Sequence, residues 1–145
     1  MSMNELAGAL LVAIILSGPA PASAQLATAL TGSNWSIVEV YGEPLPQDEM
    51  PFIAFDTAGG FDGCTACNFF YGSYSAGDET IVLLTRLTTL RGCVIENKRR
   101  SDATLEALDS SASFAVLGSV LTLADDTGEP VVRLEKQAGE ATRAP

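Results

Sequence analysis

A glycine-rich stretch with two cysteines, residues 59–74 (GGFDGCTACNFFYGSY), constrains the fold of this chain more than any other segment. It holds four of the thirteen glycines and two of the three cysteines, Cys64 and Cys67. A run of aromatic residues follows the second cysteine. We interpret the stretch as a strand, a tight corner that carries both cysteines, and a second strand. The rest of the chain is then expected to close a small β structure around this corner.

The composition predicts one domain with its own core and without a nucleic-acid partner. The chain has 145 residues, of which 47% are hydrophobic, and this is enough for one buried core. Eighteen acidic residues against eight basic ones give a net charge of −10. Binding to phosphates or to an anionic membrane surface needs clustered lysine and arginine, so we expect neither. The basic cluster Lys98–Arg100 is short and is predicted to be a solvated helix face.

Residues 1–24 have the pattern of a signal peptide. An apolar segment, 7–16, is followed by the small-x-small cleavage pattern of residues 22–24. The residues before the apolar segment carry Glu5 and neither lysine nor arginine, which is unusual for such a signal. The apolar segment has about half the length of a membrane-spanning helix, so we expect no stable membrane insertion. Cleavage would place the mature chain in the periplasm or the medium of a bacterium, both oxidising compartments.

Strand patterns dominate the segment 34–136, which follows a short amino-terminal arm, 25–33. The first strand alternates, with Trp35 and Tyr41 on the same side. Turns rich in glycine, proline and aspartate separate further short apolar runs. Besides the two strands of the central stretch, strands are predicted at 35–41, 51–56, 80–87, 113–117, 120–123 and 130–135. The tail, 137–145, is small and polar, and we expect it to be disordered.

One segment, 101–109, has a convincing helical pattern. Leu105 and Leu108 lie three residues apart on one face, and Ser101 is placed to cap the first amides. The pattern also allows a start as early as Ile95. About eight short strands, with a single helix before the last three, predict a mainly β fold. We expect a small antiparallel curled sheet or barrel, because closing the sheet removes exposed edges.

Residues 66–74, ACNFFYGSY, resemble the G-C-N-x-F-x-G-x-Y core of META domains, the HslJ-like bacterial proteins. Further positions agree in order and spacing over about residues 34–136. The matching residues are Asn68, Phe70, Gly72 and Tyr74 in the core motif, Trp35 and Gly42 at the opening of the family pattern, and Leu105 and Leu108 in its helix. The resemblance implies a small, mainly β, barrel-like domain with one helix. It implies no enzymatic reaction and links the protein broadly to stress response or secretion.

The resemblance also implies a disulfide between Cys67 and Cys93, which both stand at motif positions. The bond would close a loop of about 27 residues and leave Cys64 as a thiol. Alternatively, Cys64 and Cys67 form a redox pair, although the nearest charge, Asp62, disfavours the thiolate that such chemistry needs. An intermolecular or shuffling role for Cys64 is a third reading. A zinc site is disfavoured because three cysteines without histidine lack a fourth ligand.

The absence of histidine limits catalysis. It excludes Ser-His-Asp and Cys-His nucleophiles within the chain. Adjacent carboxylates at 48–49, 78–79 and 125–126 fall in predicted turns, where solvated acids are expected. We therefore expect neither enzyme activity nor a cofactor. The aromatic residues Phe69–Tyr71 and Tyr74 are expected to form core rather than to line a ligand cavity.

Three functions remain compatible with the sequence. The first, implied by the resemblance, is a monomeric, non-enzymatic module that contacts an unknown protein partner in the cell envelope. The second is a small barrel that binds an apolar ligand in an internal cavity. The third is a secreted inhibitor that presents the loop 41–46 to a hydrolase.

Overall fold

Nine strands and one long helix form the part of the chain that the computed structural model describes, residues 28–89 and 92–137. The strands are β1 (Asn34–Val40), β2 (Glu43–Pro44), β3 (Phe52–Phe55), β4 (Gly60–Cys64), β5 (Phe69–Ala76), β6 (Ile81–Thr88), β7 (Ser113–Leu117), β8 (Val120–Ala124) and β9 (Pro130–Lys136), and the helix is α1 (Ile95–Ser110). A short 3-10 helix, Gln47–Glu49, and a helical turn at 28–30 are also present. The predicted signal peptide, 1–24, and the segment 138–145 of the predicted tail lie outside the described residues.

The strands form one antiparallel sheet in the order β6-β5-β4-β3-β1-β9-β8-β7, with β2 paired to the end of β1. The strands β3 to β6 form one meander, β7 to β9 form a second, and β1 lies between the two. The sheet curls into a half-barrel, whose outer strands β6 and β7 meet through a bridge between Thr80 and Ser113. The helix α1 contacts β6, β9 and β1. The prediction of a mainly β curled sheet, with a helix before the last three strands, is therefore confirmed.

Large apolar side chains fill the inside of the curled sheet. Trp35, Phe55 and Phe70 are the bulkiest, and each is at most 2% exposed. The ring of Phe55 packs edge to face against Phe61 and Tyr74, with centroid distances of 6.4 and 4.9 Å. Other buried members of the core are Leu30, Ile37, Val40, Ile53, Ile81, Leu83, Leu108, Phe114, Leu121, Leu123, Val131, Val132 and Leu134. The concave side of the sheet is thus occupied by the protein's own core.

The first strand departs from the predicted alternation near its end. The register between β1 and β9 shifts between Ile37 and Glu39, which indicates a β-bulge. The shift turns Val40 inward, where it is buried, and leaves Tyr41 in a turn after the strand, with a φ of 49°. The prediction that Tyr41 shares the buried side of Trp35 is wrong, because the extra residue reverses the alternation.

The helix begins at Ile95, the early limit that the sequence allowed, and no side chain caps its amino end. Ser101 lies in the middle of the helix and is completely buried, with its Oγ 2.6 Å from Oγ1 of Thr65. The predicted capping role of Ser101 is therefore wrong. Leu108 is completely buried as expected, whereas Leu105 is only partly buried against the core.

The packed unit begins before β1. Leu30 is completely buried, and the hydroxyl of Ser33 donates a hydrogen bond to the carbonyl oxygen of Leu30. The indole Nε1 of Trp35 in turn donates to Ser33 Oγ at 2.6 Å. Residues 28–33, which the sequence analysis assigned to an arm, therefore contribute to the core and fix the position of its largest side chain.

Candidate functional site

The cysteine-bearing corner between β4 and β5 is organised by the side chain of Thr65. Its Oγ1 accepts hydrogen bonds from the backbone N–H groups of Asn68 at 2.9 Å and Cys67 at 3.2 Å. The same oxygen lies 2.6 Å from Oγ of Ser101 on α1, and both side chains are buried. Buried polar groups need such partners, so Thr65 holds the corner in shape and fastens it to the helix.

We expect Thr65→Val to lower the free energy of unfolding by about 2 kcal/mol, because it leaves the Ser101 hydroxyl and corner amides without their partner in a buried place. Ser101→Ala is expected to cost less, since the Thr65 hydroxyl keeps its bonds within the corner. Urea denaturation of both variants and of the double variant measures the coupling. If the two single effects simply add in the double variant, the contact does not stabilise the protein.

The disulfide joins Cys67 in the corner to Cys93, just before α1, with 6.0 Å between their Cα atoms. The pairing that the family resemblance implied is therefore confirmed. Cys64 lies outside this bond, and its Sγ is 3.1 Å from the carbonyl oxygen of Thr65. Because Cys67 is already bonded to Cys93, a redox pair of Cys64 and Cys67 is not the arrangement observed.

The residues of the central motif have structural roles in this corner and its strands. A Cβ atom at Gly72 would come within 2.0 Å of the carbonyl oxygen of Leu84 and 2.7 Å of Cζ of Phe61, so only glycine fits. The hydroxyl of Tyr74 donates to the carbonyl oxygen of Asp56 at 2.9 Å. Asn68 accepts a hydrogen bond from Thr89 at 3.2 Å through its side-chain oxygen. The motif thus sets the path of the chain.

The aromatic run divides between the two faces of β5. Because side chains alternate along a strand, Phe70 points into the core while Phe69 and Tyr71 point outward, where they are 47% and 52% exposed. The expectation that the run forms core is therefore correct for Phe70 and wrong for Phe69 and Tyr71. Tyr74, further along the strand, is partly buried against the core.

A β-bulge extends this exposed apolar surface onto β6. The register between the two strands shifts after Tyr71, so that Leu87 lies opposite Tyr71 and Leu84 lies opposite Ser73. In a regular strand, residues three apart would point to opposite faces, whereas here Leu84 and Leu87 are both more than half exposed. Val82, opposite Ser75, is exposed as well. We call this surface the outer apolar face, and it consists of Phe69, Tyr71, Val82, Leu84 and Leu87.

A second feature is a surface cleft of about 380 Å³ between the β1–β2 turn and the first half of α1. We call it the α1–β2 cleft. Its lining includes Val40, Glu43, Pro44 and Leu45 on one side and Glu96, Arg99 and Arg100 on the other. Tyr41 also lines the cleft, and its hydroxyl is 3.4 Å from Oε1 of Glu106. Partial burial, together with the charge of Glu106, raises the pKa of Tyr41 above its usual value.

Arginine side chains form the charged wall of the α1–β2 cleft. Nη2 of Arg100 donates to Oδ1 of Asn97 at 2.6 Å and lies 3.3 Å from Oε1 of Glu49. Glu96 approaches both arginines, at 3.6 Å from Nη1 of Arg100 and 3.8 Å from Nη1 of Arg99. The prediction of a solvated basic face holds for Arg99, which is exposed, but not for Arg100, whose side chain is 29% exposed.

Neither a metal centre nor a membrane-spanning helix is found in the ranges 28–89 and 92–137. Within them, no three side chains of the types Cys, Asp and Glu are grouped in a way that could hold a metal ion. Over the same residues, every helix is too short or too polar to cross a bilayer.

The sequence agrees with the model of the META domain family over residues 28–138, which is most of the chain. The protein belongs to the META domain family. The family assignment covers the whole curled sheet and the helix. Among curated proteins, none matches this META domain.

Solved structures share the fold of this META domain at low sequence identity. A protein from Burkholderia xenovorans, determined by NMR, has a TM-score of 0.66 and 18% identity, covering 84% of this chain and 93% of its own. A DUF4847 family protein from Bacteroides vulgatus has a TM-score of 0.60 and 17% identity, covering 79% of this chain and 99% of its own. A further NMR structure has a TM-score of 0.58 and 22% identity, covering 73% and 91%. At these identities the likeness concerns the fold.

Sequence reasoning missed both candidate surfaces. The outer apolar face depends on the bulge in the pairing of β5 and β6, and the sequence signal for it was two leucines, Leu84 and Leu87, spaced three apart in a predicted strand. The α1–β2 cleft depends on the helix beginning at Ile95, because a helix that began at Ser101 would exclude Arg99. The acidic and basic residues at 96–100 were the available signal.

Proposed function

We propose that this META domain is an exported, non-enzymatic contact module of the bacterial cell envelope that binds a protein partner through the outer apolar face. The observation that carries this proposal is the cluster of large apolar side chains on two adjacent strands. All five members of the face are 47% to 54% exposed. A contiguous apolar surface on a soluble protein is characteristic of an interaction site.

The geometry of the outer apolar face suits a protein partner. Tyr71 and Leu87 are direct cross-strand neighbours, and side chains in such positions lie about 5 Å apart. Leu84 is the next outward residue before the bulge and lies opposite Ser73. Nε of Arg86 is 3.4 Å from Oγ of Ser73, so the patch combines apolar side chains with one cation. Tyrosine and arginine are among the residues that supply most of the binding energy at protein interfaces, and apolar neighbours such as leucine exclude water from them.

The net charge of the protein indicates which type of partner it can bind, and the disulfide supports its export. With a net charge of −10, the protein repels acidic partners and other copies of itself, so the partner is neutral or basic around an apolar centre. The bond between Cys67 and Cys93 is of the kind that persists in oxidising compartments, which supports export. A role in the stress response follows the family resemblance and is part of this proposal.

The two alternative functions receive less support. A barrel that binds an apolar ligand needs an internal cavity, but here Trp35, Phe55 and Phe70 occupy the concave side of the sheet. An inhibitory loop needs to project freely. The segment 41–46 instead includes β2, and the backbone N–H of Leu45 donates to the carbonyl oxygen of Val38 at 2.9 Å, so the loop is held against the sheet.

The proposed contact is tested by photo-crosslinking in the envelope fraction of the native host. A photoreactive phenylalanine analogue at Tyr71 is expected to crosslink to one major protein, and Leu84→Glu is expected to weaken this crosslink at least about tenfold, because it buries a charge in the interface. Leu117→Glu is the matched control, since Leu117 is 85% exposed on β7 and lies outside the outer apolar face.

Both glutamate variants are expected to retain the melting temperature of the parent protein, because both replaced side chains are exposed. A crosslink at Tyr71 that survives Leu84→Glu, or that is lost equally in Leu117→Glu, contradicts the proposal. The absence of any crosslink at Tyr71 in the envelope also contradicts it.

A further inference from the structure

The α1–β2 cleft brings two arginines together on a protein that is otherwise strongly acidic. The chain has eighteen acidic and eight basic residues, and three of the eight basic ones are adjacent at Lys98–Arg100. Two of these, Arg99 and Arg100, line the cleft. Glu43 and Glu96 line it as well, so the formal charges of the lining balance. An anion is therefore not drawn in by net charge, and its recognition has to come from hydrogen bonds to the guanidinium groups.

We propose that the α1–β2 cleft binds a small organic carboxylate, with the carboxylate on Arg99 and Arg100 and the apolar part of the ligand against Pro44 and Leu45. This site shares no residue with the outer apolar face, so it does not depend on the proposed function. Its volume of about 380 Å³ lies in the range of small-molecule sites. The ligand class is an aliphatic acid or a short peptide with a free carboxyl end.

The guanidinium groups in the cleft carry N–H donors that no acceptor of the described residues satisfies. Each arginine carries five N–H donors. Arg99 makes no hydrogen bond within the described ranges, and its ion pair with Glu96 is long, at 3.8 Å. Nε of Arg100 lacks an acceptor among the same residues, but it is buried and therefore out of a ligand's reach, so Arg99 supplies the donors that are open to a ligand. A ligand carboxylate can take guanidinium donors in pairs, which is the geometry that these groups favour.

Glu96 is the competitor that a ligand must replace. Its oxygens lie 3.6 and 3.8 Å from the two arginines, so they neutralise charge but form no hydrogen bond of normal length. A long ion pair whose carboxylate is exposed contributes little to stability. A carboxylate that makes bidentate contacts therefore displaces Glu96 at small cost. Glu49 and Asn97 remain on Nη2 of Arg100 and hold that side chain in place.

The other wall of the cleft explains why the ligand needs an apolar part. Pro44 and Leu45 present aliphatic surface beside Glu43, and Ala103 lies on the helix side. The ring of Pro44 is rigid, so covering it with a ligand costs little conformational entropy. An inorganic anion would leave this surface in contact with water, whereas a carboxylate on an aliphatic chain covers it and gains from the burial of apolar area.

The experiment titrates three probes into the disulfide-bonded, ¹⁵N-labelled protein and follows the backbone amide shifts. The probes are N-acetyl-leucyl-leucine, octanoate, and N-acetyl-leucyl-leucine amide, which lacks the carboxylate. We expect N-acetyl-leucyl-leucine to shift the backbone amides of residues 41–43, 45 and 96–103 at millimolar concentration. The probe N-acetyl-leucyl-leucine amide is expected to bind at least about tenfold more weakly. Binding of octanoate as well assigns the site to aliphatic acids in general, and its failure assigns the site to peptide carboxylates.

Three variants test the residues. Arg99→Gln is expected to weaken binding about tenfold, and Glu96→Gln to strengthen it severalfold, because the first removes donors and the second removes the competitor. Lys98→Gln is the matched control, since Lys98 pairs with Asp102 outside the cleft, and it is expected to change affinity less than about twofold. The proposal is overturned if the amide binds as well as the acid, if the shifts lie elsewhere, or if neither carboxylate binds. Equal losses in Arg99→Gln and Lys98→Gln also overturn it, because they indicate attraction by net charge alone.

Discussion

Removal of the Cys67–Cys93 disulfide is expected to lower the free energy of unfolding by about 3.5 kcal/mol. The bond spans a sequence separation of 26 residues, and closing a loop of this length removes that amount of chain entropy from the unfolded state. The bond also fixes the corner to the start of α1, where no side chain caps the helix. Because a domain of this size has a total stability of about 5–15 kcal/mol, the loss is a large fraction of it.

The measurement is urea denaturation of the variant in which Cys67 and Cys93 are both alanine, compared with the parent protein with and without reductant. Replacing both residues prevents Cys64 from pairing with the cysteine left behind. Cys64→Ala is the control and is expected to change stability by less than about 1 kcal/mol, because Cys64 lies outside the bond. A double variant as stable as the parent would show that the bond does not stabilise the fold.

Gly72→Ala is expected to destabilise the protein by about 3 kcal/mol or to prevent folding, because overpacking of a rigid site is costly. The added methyl group would lie 2.0 Å from the carbonyl oxygen of Leu84, which is backbone and cannot rotate away. The ring of Phe61, whose Cζ would be 2.7 Å away, is itself held in the core. Strands β5 and β6 would have to separate at the bulge.

Gly92→Ala is the matched control for this prediction. It makes the same chemical change at a position where a Cβ atom meets nothing within 4 Å, so stability should change by less than about 0.5 kcal/mol. Thermal and urea unfolding followed by circular dichroism compare the two. Equal stability of Gly72→Ala and Gly92→Ala would mean that β5 and β6 are not packed as closely as described.

Local patterns in the sequence were sufficient to predict the main elements. Alternation and turn residues predicted the strands, the pair Leu105 and Leu108 predicted α1, and the family resemblance predicted the disulfide. These signals are local, or they are carried by a motif at fixed spacing. The sequence does not decide between a helix start at Ile95 and one at Ser101, because the residues between them are mostly charged and show little apolar periodicity.

The features that could not be predicted depend on contacts between distant segments. The bulge that turns Val40 inward arises from the pairing of β1 with β9, and the one that places Leu84 and Leu87 on one face arises from the pairing of β5 with β6. The sequence predicts Ser101 as a helix cap, because a capping serine and a buried serine cannot be distinguished in the sequence before the contact with Thr65 is known. The outer apolar face and the α1–β2 cleft could not be predicted for the same reason, because each is formed by segments that meet only in the folded protein.

The order of strands has a consequence for how the newly made chain matures. β1 is the first strand to be synthesised, but one of its two long neighbours is β9, the last. The hairpins among β3 to β6 can pair while synthesis continues, whereas β1 keeps one edge open until residues 130–136 emerge. Non-local pairing of this kind is slow to form. The two meanders can therefore be joined through β1 into one sheet only after almost the whole polypeptide has been made.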